Sequence, residues 1–229
     1  MKNKLIAGFV VGLSMIIAHS QAYASLTTIG FAVYDDGVGD VGAYKLIYDN
    51  DSPLGPITWL DYNHSYDTWL NQTAWAASLN NPGELKYYFL SGITMNWTGD
   101  WRLPSAGTRD QVEFFNYFKT DSEMGHLFYS ELGLEQGGTI SEALTSSEFY
   151  NLVAEPSVAM PSLNWTGYWT NSTDVNNPNT IFFLTFDDYN VDQIHSSIGS
   201  KVFNLHGVAV RSGEISPVPL PGAAWGLCS

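Results

Sequence analysis

The chain of 229 residues is nearly free of cysteine, and its single thiol is Cys228. The region that folds is therefore expected to have no disulfide and no thiol nucleophile. Stability has to come from a hydrophobic core, and a chain of this length can build one within a single domain. The eight tryptophans and thirteen tyrosines supply the large apolar areas that such a core needs.

Basic residues are also scarce, since nine lysines and arginines stand against 23 aspartates and glutamates, for a net charge of −14. Binding to nucleic acid needs clustered lysine and arginine beside the phosphates, so nucleic acid is excluded as a partner. An acidic surface keeps an exported protein dispersed, which is the simplest interpretation of this charge. Weak cation binding is the alternative interpretation.

Long apolar runs are absent apart from Leu5–Ala18, and its 14 residues are fewer than the roughly 20 that span a bilayer as a helix. Two lysines precede this run, and Ala22-Tyr23-Ala24 follows it as a small-x-small cleavage site. The pattern predicts a secretory signal peptide over residues 1–24, cleaved between Ala24 and Ser25. We therefore expect an exported protein, with the export machinery as its first partner.

Apolar periodicity predicts an α+β domain over residues 25–213, with an antiparallel β-sheet and two to three helices. The predicted strands form a pair or meander over 27–48, and then cover 57–60, 168–170, 180–186 and 201–211. The predicted helices cover 66–79 with Ser65 as the cap, 105–118, and 122–132, with a short helix or ordered loop over 141–150.

The most distinctive local pattern is formed by four successive residues, Trp101, Arg102, Leu103 and Pro104. Pro104 breaks the preceding strand, and Ser105 is placed to cap the helix that follows. Trp101 and Leu103 are predicted to enter the core. Carboxylates far outnumber basic side chains in this chain, so we expect Arg102 to form a bidentate ion pair with a buried or half-buried carboxylate. The motif is interpreted as a structural corner.

Oxygen-rich turns are the candidate metal sites, since Ca²⁺ takes carboxylate and amide oxygens. Asp187, Asp188 and Asn190 follow a predicted strand and are the candidate calcium ligands, with a plain solvated turn as the alternative. The turn Asp49-Asn50-Asp51 alternates as a calcium loop does, but it lacks the glycine and the distant glutamate of such a loop.

The histidines do not form a recognisable motif. Neither His-Glu-x-x-His nor Gly-x-Ser-x-Gly occurs, so no catalytic residue is predicted, and calcium is the single cofactor hypothesis. His126 lies beside apolar residues of a predicted helix, and His206 lies within an apolar strand. Both are interpreted as structural histidines with satisfied hydrogen bonds. A Ser-His-Asp triad built from distant residues stays open.

Aromatic and amide side chains cluster after residue 164. The faces of Trp165, Tyr168 and Trp169 are of the kind that stack on sugar rings, and Asn171 offers an amide to sugar hydroxyls. An extracellular glycan or matrix polymer is therefore the predicted partner, with these four residues as its binding site. The alternative is that the aromatic residues belong to the core.

Several segments taken together resemble an exported bacterial family built on a domain of unknown function, which is related to the C-terminal domain of Legionella collagen-like protein. These segments are 57–61 (Ile-Thr-Trp-Leu-Asp), the tryptophan- and alanine-rich stretch 69–79, 100–104 (Asp-Trp-Arg-Leu-Pro), 168–172 (Tyr-Trp-Thr-Asn-Ser) and 208–211 (Val-Ala-Val-Arg). The resemblance covers roughly residues 57–211. It implies a single C-type lectin-like domain in a protein that is secreted or held at the surface of a Gram-negative bacterium.

The tail over residues 214–229 resembles an incomplete PEP-CTERM sorting signal. Val218-Pro219-Leu220-Pro221 is similar to a variant that opens such a signal. In that family an apolar span and a basic cluster follow, and neither occurs here, so an exosortase is not counted among the expected partners.

These observations predict a non-catalytic exported protein of the cell surface or extracellular matrix that binds a glycan. Two alternatives remain open. One is a structural matrix component without a discrete ligand, and the other is an extracellular hydrolase.

Overall fold

The computed structural model describes residues 26–35, 37, 41–106, 120–134, 144, 147–152, 165–174, 177–187, 193–201 and 204–217. Within these ranges, no helix is both long and apolar enough to cross a bilayer. The predicted signal peptide, the cleavage site at Ala24 and Ser25, the tail after residue 217 and most of the predicted helix 105–118 lie outside the described residues.

Nine strands of the described part of the chain form one sheet. They are β1 (Thr27–Asp35), β2 (Val41–Asp49), β3 (Ile57–Asp67), β4 (Leu85–Phe89), β5 (Ile93–Trp97), β6 (Trp165–Asp174), β7 (Asn177–Asp187), β8 (Gln193–Ser200) and β9 (Leu205–Pro217). Eight follow the order β4-β1-β2-β3-β9-β6-β7-β8, and β5 pairs with the far part of β9. Every pairing is antiparallel except the short parallel contact between β6 and β9.

Two helical segments accompany the sheet among the described residues. Helix α1 covers Trp69–Ser78, and α2 (Glu123–Gly125) continues directly into a π-helix over His126–Glu131. The α+β class and the largely antiparallel sheet are therefore confirmed. The C-type lectin-like identity of the domain stays a prediction.

Helix α1 begins three residues later than the sequence predicts. Tyr66 and Asp67 still belong to β3, where Asp67 pairs with Leu205 of β9. The cap is Thr68 rather than Ser65, and its side chain accepts a hydrogen bond from the backbone N–H of Asn71. Backbone pairing at the end of β3 thus outweighs the helical periodicity of the side chains.

The strands that the sequence misses are β4, β5 and β8. The first two have only five residues each, and they flank a tight turn at Gly92 with a φ of 83°. Strand β3 is also longer than predicted, because its second half is polar and the apolar pattern ends at Leu60. Short or polar strands carry too little periodic signal to be recognised.

The sheet is apolar on both faces. Neighbouring residues on one strand point to opposite sides, so Leu46 and Leu60 belong to one buried cluster while Ile47 and Trp59 belong to the other. Helix α1 contributes Trp75 to the first cluster, whereas α2 and the π-helix cover the second. This explains the unbroken apolar runs in the central strands.

The corner at Trp101-Arg102-Leu103-Pro104 has the buried side chains and the ion pair that the sequence predicts, while the helix that Ser105 would cap lies mostly outside the described residues. Trp101 and Leu103 are buried, and the Arg102 backbone exchanges hydrogen bonds with Val210 of β9. The Arg102 guanidinium donates to both oxygens of Glu123, at 2.7 Å from Nη1 and 2.6 Å from Nη2. The Ser105 N–H donates to Glu123 Oε2 at 2.6 Å. One buried carboxylate therefore holds the corner and α2 together.

Candidate metal centre

The first half of the site lies where β2 ends. Asp49 is the last residue of β2 and is fully buried, whereas Asp51 in the following turn has 48% of its side chain exposed. The turn closes through a hydrogen bond from Gly55 N–H to Ser52 O at 2.9 Å, with a φ of 102° at Gly55. Both carboxylates lie at the end of β2, close to His126 of the π-helix.

The second half of the site comes from α2 and the π-helix. Ser122 caps α2 by accepting a hydrogen bond from Gly125 N–H at 2.8 Å. The Leu132 N–H then donates to Leu127 O, five residues earlier, at 2.9 Å. In an α-helix two residues five apart point about 140° away from each other. A π-helix closes i→i+5 hydrogen bonds and has more residues per turn, so residues five apart point in much more similar directions, and His126 and Glu131 share one face.

These two halves bring one imidazole and three carboxylates together. His126 Nε2 lies 3.2 Å from Glu131 Oε1, 3.5 Å from Asp51 Oδ1 and 3.8 Å from Asp49 Oδ1. One ligand atom from each of the four residues lies within 4.8 Å of every other. The group is accordingly able to hold a metal ion.

Several of the atoms in this group that could coordinate a metal are buried without a hydrogen-bond partner among the described residues. They are Asp49 Oδ1, His126 Nε2 and both carboxylate oxygens of Glu131. Asp49 Oδ2 has only a long contact, at 3.5 Å from the indole nitrogen of Trp59. Buried polar atoms are normally satisfied, so a concentration of unsatisfied acceptors around one point calls for an explanation.

The electrostatics favour proton retention when no metal is present. Burial raises the pKa of Asp49 to about 6, and the nearby His126 opposes that rise. Contact with the Glu131 carboxylate raises the pKa of His126, with burial acting against it. The 3.2 Å contact between His126 and Glu131 is an electrostatic attraction, because the two atoms are not aligned for a hydrogen bond.

The spacing of the four donors suits a small cation. Donors bound tetrahedrally at 2.0–2.1 Å are separated by about 3.3 Å from one another. The three separations around His126 Nε2 run from 3.2 to 3.8 Å. The remaining separations lie within 4.8 Å, so an ion would draw the three carboxylates closer together to complete a coordination shell of one nitrogen and three oxygens.

The sequence hypotheses about metals have different outcomes. Asp187 ends β7 with its backbone paired to Trp165 and Gln193, but its side chain, with Asp188 and Asn190, lies outside the described residues. That calcium prediction stays a prediction. His126, interpreted from the sequence as a structural histidine, places its Nε2 beside three carboxylates, where it has no hydrogen-bond partner of good geometry among the described residues.

His206 behaves as the sequence predicts for a structural histidine. Its Nδ1 lies 3.0 Å from the backbone oxygen of His64, and its ring packs against Tyr66. Burial lowers the pKa of His206 to about 4. The ring is therefore neutral across the physiological range.

The predicted glycan site loses two of its aromatic faces. Tyr168 and Trp169 are fully buried, and the Trp169 indole N–H donates to Asp67 O at 3.0 Å. Asn171 is exposed and donates its backbone N–H to Pro104 O at 2.7 Å, while the side chain of Trp165 lies outside the described residues. Strand alternation directs Tyr168 and Trp169 into opposite cores, so neither ring is available to a sugar.

Comparisons with models of protein families, with curated proteins and with solved structures found no match. The family resemblance of the sequence motifs therefore stays a prediction. What the fold and the site define is an α+β domain with a four-residue cluster that is able to hold a metal ion.

Proposed function

We propose that the protein is an exported, non-catalytic protein of the cell surface or extracellular matrix whose domain binds one divalent metal ion. Export is supported by the signal-peptide pattern of residues 1–24. The observation that carries the metal proposal is the convergence of buried donor atoms that lack hydrogen-bond partners among the described residues.

The free energy of the empty site supports this proposal. A buried carboxylate without a partner costs several kcal/mol, and this cluster places three carboxylates around a single imidazole. A protonated His126 offsets only one of those charges. A divalent cation offsets two charges and supplies a partner for each unsatisfied donor, so it stabilises the folded chain as well as the ligand set.

The donor types favour zinc or manganese over calcium. Ca²⁺ takes six to eight ligands, all of them oxygens. Imidazole nitrogen together with carboxylate oxygen suits zinc and the neighbouring transition metals. To bind a metal, the His126 ring would have to lose its proton and donate a nitrogen lone pair. Ca²⁺ prefers oxygen ligands, so it is disfavoured here.

The number of ligands favours a structural ion. Four protein ligands fill a tetrahedral shell, whereas catalytic zinc sites keep one position for water. Asp51 is half-exposed, and the other three side chains are almost fully buried. The ion would link the turn after β2 to the π-helix. It would thereby hold in place the helical segment that covers the second buried cluster.

The test measures metal content and binding on the purified protein. We expect one Zn²⁺ or Mn²⁺ per chain by mass spectrometry of the metal, and an isothermal titration in which Ca²⁺ binds at least tenfold more weakly. Glu131→Gln should lower the Zn²⁺ affinity at least tenfold, since it removes a buried charged ligand. The matched control Glu214→Gln changes an exposed glutamate of β9 and should leave the affinity unchanged.

Two results would contradict the proposal. Dissociation constants above 1 mM for both Zn²⁺ and Mn²⁺ would remove the metal function altogether. Equal losses of affinity in Glu131→Gln and Glu214→Gln would show that the ions bind to the acidic surface in general.

A further inference from the structure

A second surface, separate from the metal centre, carries exposed aromatic rings in a line across the sheet. Phe31 of β1 lies opposite Tyr88 of β4 on one side and opposite Lys45 of β2 on the other. Lys45 Nζ lies 3.9 Å from the ring centre of Tyr150. Strands are about 4.8 Å apart, so Tyr88 and Lys45 are roughly 10 Å apart across β1. We call Tyr88, Phe31, Lys45 and Tyr150 the aromatic row.

The rings of the row are exposed although the protein has two buried clusters to place them in. The exposed fractions are 38% for Phe31, 49% for Tyr88 and 76% for Tyr150. Ala32 and Tyr34, the inward-facing neighbours of Phe31 on β1, are buried in the first cluster. Phe31 thus lies on the face of β1 opposite the first buried cluster.

Tyr150 is held in place by a buried carboxylate. Asp61 of β3 is fully buried, and its two oxygens accept hydrogen bonds from the backbone N–H groups of Tyr150 and Asn151, each at 3.0 Å. The Asn151 side chain also donates to Asp61 O at 2.8 Å. Burying a carboxylate is costly. Here it fixes the backbone beneath a ring that faces solvent.

Lys45 is fixed in the same way. Its ammonium donates to Glu148 O at 2.8 Å and lies 3.4 Å from Glu148 Oε2. The hydroxyl of Thr28 donates to that same carboxylate oxygen at 2.6 Å. Binding surfaces gain affinity when their side chains are ordered before the ligand arrives, and the described contacts order this end of the row.

The size of the row argues against a protein partner or a second copy of the chain. An aromatic side chain offers about 150–250 Å², so the three partly exposed rings present on the order of 300 Å². A stable protein interface needs about 800 Å² from each partner. A narrower ligand with apolar faces and polar edges fits the area and the composition better.

A pyranose ring has those properties, because its C–H face is apolar and its rim carries hydroxyls. Polar groups flank the rings of the row at both ends. Lys45 and Glu148 lie beside Tyr150, and Lys86 Nζ lies 5.3 Å from the ring centre of Tyr88. We propose that the aromatic row binds a polysaccharide chain, with sugar rings stacked on Tyr88, Phe31 and Tyr150 and hydroxyl or carboxylate groups bonded to the lysines.

The experiment is a binding assay with two insoluble polymers, cellulose and chitin, and two soluble ones, a neutral β-glucan and the polyuronate alginate. We expect the protein to be retained by at least one of them, and alginate distinguishes lysine-bonded carboxylates from neutral sugars. Tyr88→Ala and Tyr150→Ala should each weaken retention at least fivefold with little change in melting temperature. Leu70→Ala removes a comparably exposed apolar side chain from α1 and should leave retention unchanged.

The proposal is overturned if no polymer retains the protein, if both tyrosine variants bind as the wild type does, or if Leu70→Ala weakens retention equally. Repeating the assay with EDTA separates this surface from the metal centre. Retention in EDTA supports the aromatic row as the binding site, whatever the outcome of the metal titrations. Complete loss of retention in EDTA would show that glycan binding depends on the metal centre and not on the aromatic row.

Discussion

The ion pair between Arg102 and Glu123 offers the sharpest test of how this fold is held together. Glu123→Gln keeps the shape of the side chain and one carbonyl acceptor, but it removes the charge that the guanidinium faces. The Glu123 side chain is fully buried and the Arg102 side chain is 30% exposed. The substitution therefore leaves an arginine that is only partly able to recover its hydration.

The expected loss follows from that geometry. Removing one partner of a fully buried pair costs about 3–5 kcal/mol. Because solvent reaches part of Arg102, we expect a smaller loss than for a fully buried pair, about 2–3 kcal/mol of unfolding free energy. For a chain of this size each kcal/mol shifts the melting temperature by about 2–4 °C. The melting temperature should thus fall by roughly 5–10 °C.

Urea denaturation followed by tryptophan fluorescence measures the difference directly. Glu148→Gln is the matched control, because it changes the same residue type in the more exposed pair with Lys45 and should cost less than about 1 kcal/mol. A loss below 1 kcal/mol for Glu123→Gln, or equal losses in the two variants, would refute the view that burial makes this pair important.

Three further predictions concern the metal centre, the sheet and the corner. In EDTA the wild type should lose stability relative to Asp49→Asn as the pH rises from about 4 to 6 and change little above that, because burial raises the pKa of Asp49 from 3.8 to about 6 and, between those values, only the folded state holds the proton. Added Zn²⁺ should stabilise the wild type more as the pH rises, since the ion replaces protons; thermal melts at each pH measure both effects, and flat differences would contradict them. Gly30→Ala should cost more than about 2 kcal/mol in urea titrations, because the new Cβ would collide with the backbone oxygen of Tyr88, whereas Gly99→Ala meets only a side-chain carbon at 3.3 Å. Asn80→Ala should cost about 2 kcal/mol, because its amide accepts from the Trp101 N–H at 2.8 Å and donates to Trp101 O at 3.1 Å; exposed Asn81→Ala is the control, and equal effects would contradict the reasoning.

The sequence predicts the strands that alternate and the corner that is chemically unusual. Strands β1 and β2 are rich in β-branched and aromatic residues and are separated by turn residues, and this pattern predicts them without any tertiary information. The partner of Arg102 follows from the fact that an arginine near the core needs a carboxylate. Which carboxylate it finds, Glu123, depends on the tertiary fold.

The metal centre lies beyond single-sequence reasoning for two reasons. Asp49 and His126 are far apart along the chain and meet only after the sheet has formed. The spacing of His126 and Glu131 excludes a shared face in an α-helix. The residue types do not distinguish a π-helix from an α-helix, so the sequence does not predict that these two side chains meet. The alternation at Asp49-Asn50-Asp51 was the one available signal, and the distant glutamate that it lacks in sequence is supplied in space by Glu131.

Strand β9 also has a consequence for the order in which the molecule is assembled. It pairs with β3, β5 and β6, and it joins the group β4-β1-β2-β3 to the group β6-β7-β8. Among the described strands β9 is the last to leave the ribosome. Each group has internal hairpins that form early, but the two groups have no shared sheet until β9 arrives. A chain that crosses a membrane unfolded would benefit from this delay, because its tertiary structure closes only once residues 205–217 have been delivered.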